Sequence, residues 1–413
     1  MKTFDNLYAR NSNGAINVWE IKVEELHYPT IIISEGLFDG KKSETLNHIK
    51  KGKNIGKMNA TTPYEQACNE AEGRWEKKKK QGYKSLEDLG IDSVDDLEEA
   101  LPMDRTDANG ISKPMKAQPY YKIKTVDGKK VKTNEPVIKF PCYAQPKLNG
   151  FRVMARWEEI TTDKGTLLEA TTEGVVFRSK EGLRYTVCEH IEAEFTKIMF
   201  LNSSTQKYDL VFDGEMYIHG EILSEISSAV RKRNAKTILL KFHTFDLAIK
   251  GVKQKERLER LKTIIDYEKG SRNLSNIERV PHIRIESNER AQEFTDECIK
   301  QGYEGAIFRC PNAEYQFGKC PQTMTKLKRS EDKEFRIVDV IGGENTPDLA
   351  VFVCVQEEGL QFDCTPEGSV EVKREYLTNK HKYIGKNLTV RFFERTKDNK
   401  PFHATGVAIR DYE

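Results

Sequence analysis

Near residue 330 the hydrophobic pattern of this 413-residue chain changes character. From about 115 to 331, short β-type runs at 151–157, 208–212, 239–247 and 306–309 alternate with helical stretches at 188–199, 221–233, 254–268 and 288–301. Beyond a charged stretch at 330–334 the chain is nearly all strand-like. It has runs at 335–341, 350–355, 369–372 and 388–393, and turn signals at Gly342-Gly343, Pro366-Glu367-Gly368 and Asp398-Asn399. Such a switch predicts a mixed α/β body followed by a separate all-strand unit, and roughly 80 residues of short strands have the size of a small barrel such as an OB-fold.

A third pattern precedes residue 115. Asn13-Gly14 is a hairpin signal between Leu7-Tyr8-Ala9 and the β-prone run 16–23, which carries Trp19, and 30–34 reads as another strand. A helix follows, with Thr62 as cap, Pro63 in the first turn and Glu65 completing a capping box. Ala67, Ala71 and Trp75 share one face, Gly82 ends the helix, and the run 77–80 of four lysines reads as a solvated last turn that complements the helix dipole, with phosphate contact as the alternative. Residues 102–114 are rich in Asp, Asn, Gly, Ser and Pro and read as a linker. A length of roughly 150 residues per domain makes two or three domains, and the expected division is 1–112, 113–331 and 332–413.

Charged residues make up 32% of the chain, and its densest apolar runs, such as 350–355, are strand-sized. No stretch approaches the roughly 20 apolar residues that cross a bilayer. No secretory leader or lipidation motif is evident, and a cytoplasmic protein is the expectation. Eight cysteines without a C-x-x-C pair favour neither a disulfide framework nor a structural zinc site. Lys plus Arg number 67 against 65 Asp plus Glu, so a nucleic-acid partner must be argued from local clusters and chemistry rather than net charge.

The chemistry concentrates around Gln145-Pro146-Lys147-Leu148-Asn149-Gly150-Phe151-Arg152. An Asn-Gly turn after a lysine, followed by a strand, holds one amine at the mouth of a sheet, where it can serve as a nucleophile. Its companions are Asp213-Gly214-Glu215, Phe245-Asp246, Glu304-Gly305-Ala306-Ile307-Phe308-Arg309 and Lys326-Leu327-Lys328, each on or beside a predicted strand.

This ordered set resembles the covalent nucleotidyltransferases, the superfamily of ATP-dependent DNA ligases, RNA ligases and messenger-RNA capping enzymes, and most closely the viral and phage DNA ligases. The lysine motif K-x-D/N-G-x-R is met at Lys147 to Arg152. The acidic motif falls at Asp213 to Glu215, the adenine-stacking motif at Phe245, the E-G motif at Glu304 and the double-lysine motif at Lys326 and Lys328. The N-terminal block, with its stretch 52–59 (GKNIGKMN), is similar to the WGR-like module ahead of some such ligases, and the close at 409–413 is similar to their barrel terminus. One departure is Pro401-Phe402-His403-Ala404, where relatives usually carry Arg-Phe-Pro. The implied fold class is α+β: an adenylyltransferase (ATP-grasp-like nucleotidyltransferase) domain, a C-terminal OB-fold barrel and an N-terminal WGR-like α+β module.

The resemblance implies an ATP-dependent polynucleotide ligase that seals 5'-phosphate/3'-OH nicks in duplex DNA through lysyl-AMP, using ATP and Mg²⁺. Lys147 attacks the α-phosphate, while Lys326 and Lys328 steady phosphate charge. Glu215 and Glu304 supply metal ligands, and Asp213 holds its loop or assists the metal. Arg152 is assigned to the nucleotide sugar, with a cross-strand salt bridge as the alternative. Phe245 stacks on adenine with Phe242 as substitute, Gln145 meets the adenine edge, and Arg178 meets the acceptor 5'-phosphate. Backbone contacts are expected from Arg231, Lys232, Arg233, Lys236 and Lys241, and from 391–395 with Phe392 and Phe393. Arg410 and Asp411 visit the site on barrel reorientation. The expected partner is nicked double-stranded DNA, met by a virus- or phage-encoded monomer with no membrane association. An RNA ligase or capping-type guanylyltransferase and a non-catalytic nucleic-acid-binding protein are the alternatives. NAD⁺ is disfavoured as adenylyl donor because the four-cysteine zinc spacing is lacking.

Overall fold

Thr62 and Glu65 close the capping box read from the sequence: Glu65 N donates to Thr62 Oγ1 at 3.2 Å and Thr62 N donates to Glu65 Oε2 at 2.8 Å. The helix Pro63–Lys80 that starts there ends at Gly82, whose φ of +88° only glycine adopts cheaply. Ala67 and Ala71, four residues apart, are fully buried against Leu7, Ile21, Val23 and Ile31 of an antiparallel sheet. That sheet runs Lys2–Thr3, Ile16–Glu25, Pro29–Leu37, Lys42–His48, with Leu7–Arg10 also paired to Ile16–Glu25. The lysine run is not simply a solvated face. Lys78 lies over the rings of Tyr83 (4.5 Å) and Trp19 (5.3 Å), and Lys79 binds Asp88 at 2.8 Å.

The computed structural model describes residues 1–11, 14–102, 112–126, 129–162, 170–200, 210–272, 274–344 and 346–410. Asn13 of the hairpin turn, most of the linker (103–111) and Asp411 lie outside the described residues.

Two sheets build the centre. One has six strands in the order Arg184–Tyr185, Ala170–Ser179, Phe151–Thr162, Phe212–Tyr217, Lys241–Leu247, Ile277–Arg279. The other has five, in the order Ile283–Ile285, Cys142–Lys147, Gly305–Arg309, Met324–Lys328, Gln118–Pro119. Alternation along each strand sends one set of side chains to a core and the other to the cleft. In the first sheet Val153, Ala155, Val175, Phe177, Phe212 and Phe242 pack on Ile191 and Phe195 of the helix Glu189–Phe200, and on Leu261 and Ile265 of Gln254–Arg272. In the second, Cys142, Ala144, Ala306, Phe308 and Leu327 pack on Ala291, Phe294 and Cys298 of the helix Asn288–Lys300. Burying each aromatic ring contributes about 2 kcal/mol. Phe242 passes over the backbone of Gly214, where a Cβ would lie 2.4 Å from the ring, so the middle residue of the acidic motif is fixed by packing.

Past Glu331 five strands close a barrel in the order Glu331–Gly342, Ala350–Val355, Gln361–Pro366, Thr405–Arg410, Asn387–Phe392. All pairs are antiparallel except Gln361–Pro366 with Thr405–Arg410. Ile337, Phe352, Cys354, Cys364, Leu388, Val390 and Phe392 fill it, and all eight cysteines of the chain are free.

Four expectations are corrected. Residues 369–372 are no strand: Ser369 Oγ accepts from Val372 N at 3.4 Å and caps the helix Val370–Thr378, so the side-chain cap overrides the β-branched Val-Glu-Val pattern. The strand expected at 335–341 begins earlier, within the charged stretch, because Glu331 to Arg336 pair with Phe392 to Asn387 in the barrel. Of the strand placed at 208–212, residues 208 and 209 lie outside the described residues, and the described strand starts only at Phe212 and runs to Tyr217, which takes the whole acidic triplet into the sheet. The strand placed at 239–247 begins at Lys241, after a 3₁₀ turn Thr237–Leu239 that exposes Ile238 and Leu239.

Candidate active site

The lysine strand Cys142–Lys147 lies beside Gly305–Arg309, which in turn pairs with Met324–Lys328. The register aligns Lys147 with Gly305 and Gly305 with Lys328, and the row behind aligns Gln145, Ile307 and Lys326. Three motifs far apart in the chain thus meet on one face. Gly305 makes this alignment feasible: its φ is +149°, and a Cβ there would lie 2.2 Å from Leu327 O. Lys147 Nζ is in contact with a Glu304 carboxylate oxygen, and Lys328 Nζ with the other oxygen of the same group.

Across the cleft, Arg152 and Glu215 are cross-strand partners. Glu215 Oε1 accepts from Gly150 N at 2.8 Å, tying the turn after Lys147 to the acidic strand. Arg152 is bound in two places by Asp213, Nε to Oδ1 at 2.9 Å and Nη2 to Oδ2 at 2.5 Å. The cross-strand salt bridge that the sequence left open is therefore what the structure contains. Asp213 is fully buried and also accepts from Tyr315 Oη at 2.6 Å.

Charge in the cleft is set by burial. Burial lowers the pKa of Lys147, and Arg152 adds to the effect, while Glu215 and Glu394 oppose it. Burial and the nearby Lys147 push Lys328 down to about 8 and also lower Lys326. The same burial raises Glu215, opposed by Lys147 and by the Gly150 hydrogen bond. Burial thus favours loss of the Lys147 proton, the condition for nucleophilic attack, whereas the Glu304 carboxylate in contact with the amine favours the charged form until the two part.

Other expected site residues lie elsewhere or are already engaged. Phe245 is half-buried, with Arg309 5.3 Å and Arg152 5.4 Å from its ring centre. Phe242 is a fully buried core ring on the opposite face of the strand and is no substitute for it. Gln145 is buried, with Nε2 donating to Phe245 O at 3.1 Å and Oε1 accepting from Arg309 Nε at 2.9 Å, so its amide serves the protein itself. Arg178 is held by Glu158 at 2.6 Å. Arg231 covers Phe151 at 5.6 Å and Arg233 contacts Glu189. Lys236 binds Glu221 at 2.6 Å and Lys241 binds Glu278 at 3.3 Å. Arg391 pairs with Asp332 at 3.0 Å, and Arg410 Nε donates to Thr389 Oγ1 at 2.8 Å.

The sequence reading gave no role to Arg309, Arg257 or Tyr315. Arg309 and Arg257 converge on the buried Asp246 at 3.0 and 2.9 Å, forming an ionic floor beneath the cleft. Arg309 closes the E-G motif and Asp246 follows Phe245, so two of these partners were in quoted motifs, whereas Tyr315 has no local signal. A cavity of about 530 Å³ adjoins the nucleophile, lined by Pro146, Leu148, Tyr217, His243, Val280 and Tyr303 among others. A second, of about 440 Å³, lies between Glu304 and Lys328 on one side and Phe393, Glu394, Phe402 and His403 of the barrel on the other.

The family model described as "ATP dependent DNA ligase domain" matches residues 114–328, more than half of the chain. A DNA ligase of African swine fever virus from a Namibian warthog isolate is 28% identical over 278 residues, spanning 60% of this chain and 65% of the relative. The DNA ligase of a Kenyan pig isolate of that virus is 26% identical over 445 aligned positions, spanning 99% of this chain and 94% of its own length. A solved structure from a study of Lig E DNA ligases superposes with a TM-score of 0.51 at 18% identity, covering 65% of this chain and 93% of that one, which speaks to the fold alone. With the lysine, acidic, E-G and double-lysine motifs gathered in one cleft within the matched span, the chain belongs to the ATP-dependent DNA ligase family.

Proposed function

We propose that the protein seals 5'-phosphate/3'-OH nicks in duplex DNA with ATP as adenylyl donor, through a lysyl-AMP intermediate on Lys147. The observation that carries this reading is the three-strand row Lys147, Gly305, Lys328, with Glu304 held between the two amines. In the first step Lys147 Nζ, parted from Glu304 and stripped of its proton, forms a bond to the α-phosphorus. The bond from that phosphorus to the bridging oxygen breaks, and pyrophosphate leaves. In the second, a 5'-phosphate oxygen takes the adenylyl group and the Nζ–P bond breaks. In the third, the 3'-hydroxyl attacks the activated phosphate, loses its proton and expels AMP. Splitting a difficult displacement through a covalent intermediate is what an activated lysine offers.

The cavity beside Pro146 and Leu148 has a volume suited to a nucleoside. We assign the base to His243 and Phe245, two positions apart and so on one strand face. Arg152 and Glu215 take the sugar side, and Lys326 and Lys328 the phosphates. Among the described residues no group of three or more His, Cys, Asp or Glu side chains is disposed to hold a metal on its own. The carboxylates of Glu215 and Glu304 are the hard oxygen donors that Mg²⁺ accepts alongside phosphate oxygens and water, and they are the ligands we assign. Bound there, Mg²⁺ would neutralise charge on the triphosphate.

The reading extends to three domains, 1–112, 113–331 and 332–413. The closed barrel, with its single parallel pair and a helix between its third and fourth strands, supports an OB-fold. The N-terminal sheet and helix support a WGR-like module that grips duplex, and the protein would act as a monomer. The viral relatives support a virus-encoded enzyme at work in the cytoplasm of a host cell.

The test compares nicked DNA, nicked RNA–DNA hybrid and single-stranded RNA, each with a 5'-phosphate, at one salt concentration. A template strand holds both ends in place and makes joining a positioned reaction, so nicked DNA is expected to be joined far faster than single strands. Efficient joining of single-stranded RNA alone would replace the DNA reading with an RNA ligase.

A further inference from the structure

The turn that follows the nucleophile is held at three points. Lys147 Nζ reaches Leu148 O at 3.3 Å, and Gly150 N is bound by Glu215 at 2.8 Å. The third tie comes from the barrel: Asn149 Nδ2 donates to Glu394 Oε2 at 2.6 Å, across 245 positions of sequence.

Glu394 is not on a loose loop. It begins the strand Glu394–Arg395, which pairs with Pro401–Phe402, and the turn between them is closed by Thr396 N donating to Lys400 O at 2.8 Å. The next residue, Arg395, braces the hairpin to the barrel by donating to Gln356 Oε1 at 2.7 Å and closes the hairpin's own turn by donating to Asn399 O at 2.8 Å. The preceding Phe393 lies 5.3 Å from Lys328 Nζ, and Lys397 meets Glu225 of the central body at 3.5 Å. The hairpin thus touches the catalytic body at several points, and Glu394 sits at the one where the motif turn is exposed to it.

Position 149 is where the family motif admits either Asp or Asn. A carboxamide can donate to Glu394, whereas a carboxylate would face it with like charge. We propose, building on the lysyl-AMP reading above, that Glu394 is a positioning residue for adenylation: the barrel hairpin delivers it to Asn149 and so fixes the turn that carries Lys147 against Glu215. Asn149 and Glu394 are then a matched pair of donor and acceptor. Their contact requires the barrel to lie against the central body as it does here.

The experiment uses the full chain and two separate readouts, the single-turnover rate of lysyl-AMP formation from ATP and the rate of sealing a pre-adenylated nick. E394A should slow adenylation about tenfold, the equivalent of about 1.4 kcal/mol, and leave sealing of the pre-adenylated nick within about twofold, and N149D should slow adenylation to the same extent. The reciprocal variant N149D/E394Q places an acceptor at 149 and a donor at 394, and should recover most of the lost rate. Adenylation unchanged in E394A, equal slowing of both steps, or no recovery in N149D/E394Q would each overturn the proposal. Wild-type protein that takes no label from ATP would instead remove the lysyl-AMP reading itself, so the two failures are distinguishable.

Discussion

Arg152 and Asp213, diagonal to each other on adjacent strands, form a two-pronged ion pair, with Asp213 wholly buried and a third bond arriving from Tyr315. Removing one partner of a buried pair leaves the other charge without compensation, at a cost of about 3–5 kcal/mol. Asp213→Ala should therefore lower the stability of the central body by that order, seen as a shift of the denaturant midpoint. A midpoint within experimental error of wild type would show that Asp213 is not needed to hold Arg152.

Gly214 tests packing without touching charge. A methyl group there meets the Phe242 ring at 2.4 Å, and overpacking of this kind costs about 1–3 kcal/mol. Gly214→Ala should destabilise the protein by that amount, and adding Phe242→Leu should return part of the loss. If the double variant loses as much stability as the sum of the two single changes, or more, the clash is not the cause.

The N-terminal block meets the central body at Lys113, whose buried amine contacts Gln81 O and binds Glu181 at 2.9 Å. None of the nucleotide-handling motifs precedes that residue. A protein starting at Ser112 should still form lysyl-AMP yet bind nicked duplex more weakly, with a shallower dependence of affinity on salt because fewer phosphates are neutralised. Equal affinity of the short and full-length proteins across a salt series would assign the block another task.

Local chemistry in this chain was legible where a residue acts within a few positions of itself. The Thr62 cap, the helix Asn288–Lys300 and the strand Ala350–Val355 follow from period and capping, and they stand where the sequence put them. Ser369 shows the limit of the same reasoning: its cap was there to be seen, but the β-branched valines around it argued the other way. The motifs named the chemical groups of the cleft, yet not their partners. That Gln145 spends its amide on Phe245 and Arg309, or that Glu304 is shared by Lys147 and Lys328, depends on register between strands distant in sequence. Tyr315 and Glu394 carry no periodic or motif signal, because each acts through a contact between segments far apart in sequence, within the central body for Tyr315 and between body and barrel for Glu394.

One amine, Lys147, is the group proposed to carry AMP. Its pKa is lowered by burial among the other cleft residues, and it is the group aligned with both Gly305 and Lys328. The direct measurement is incubation of wild-type protein and Lys147→Ala with α-labelled ATP or GTP, followed by a denaturing gel. A labelled wild-type band is expected with ATP and not with GTP, and no band for a folded Lys147→Ala. A labelled Lys147→Ala band would contradict the assignment of the nucleophile, and label from GTP in place of ATP would contradict the adenylyl chemistry.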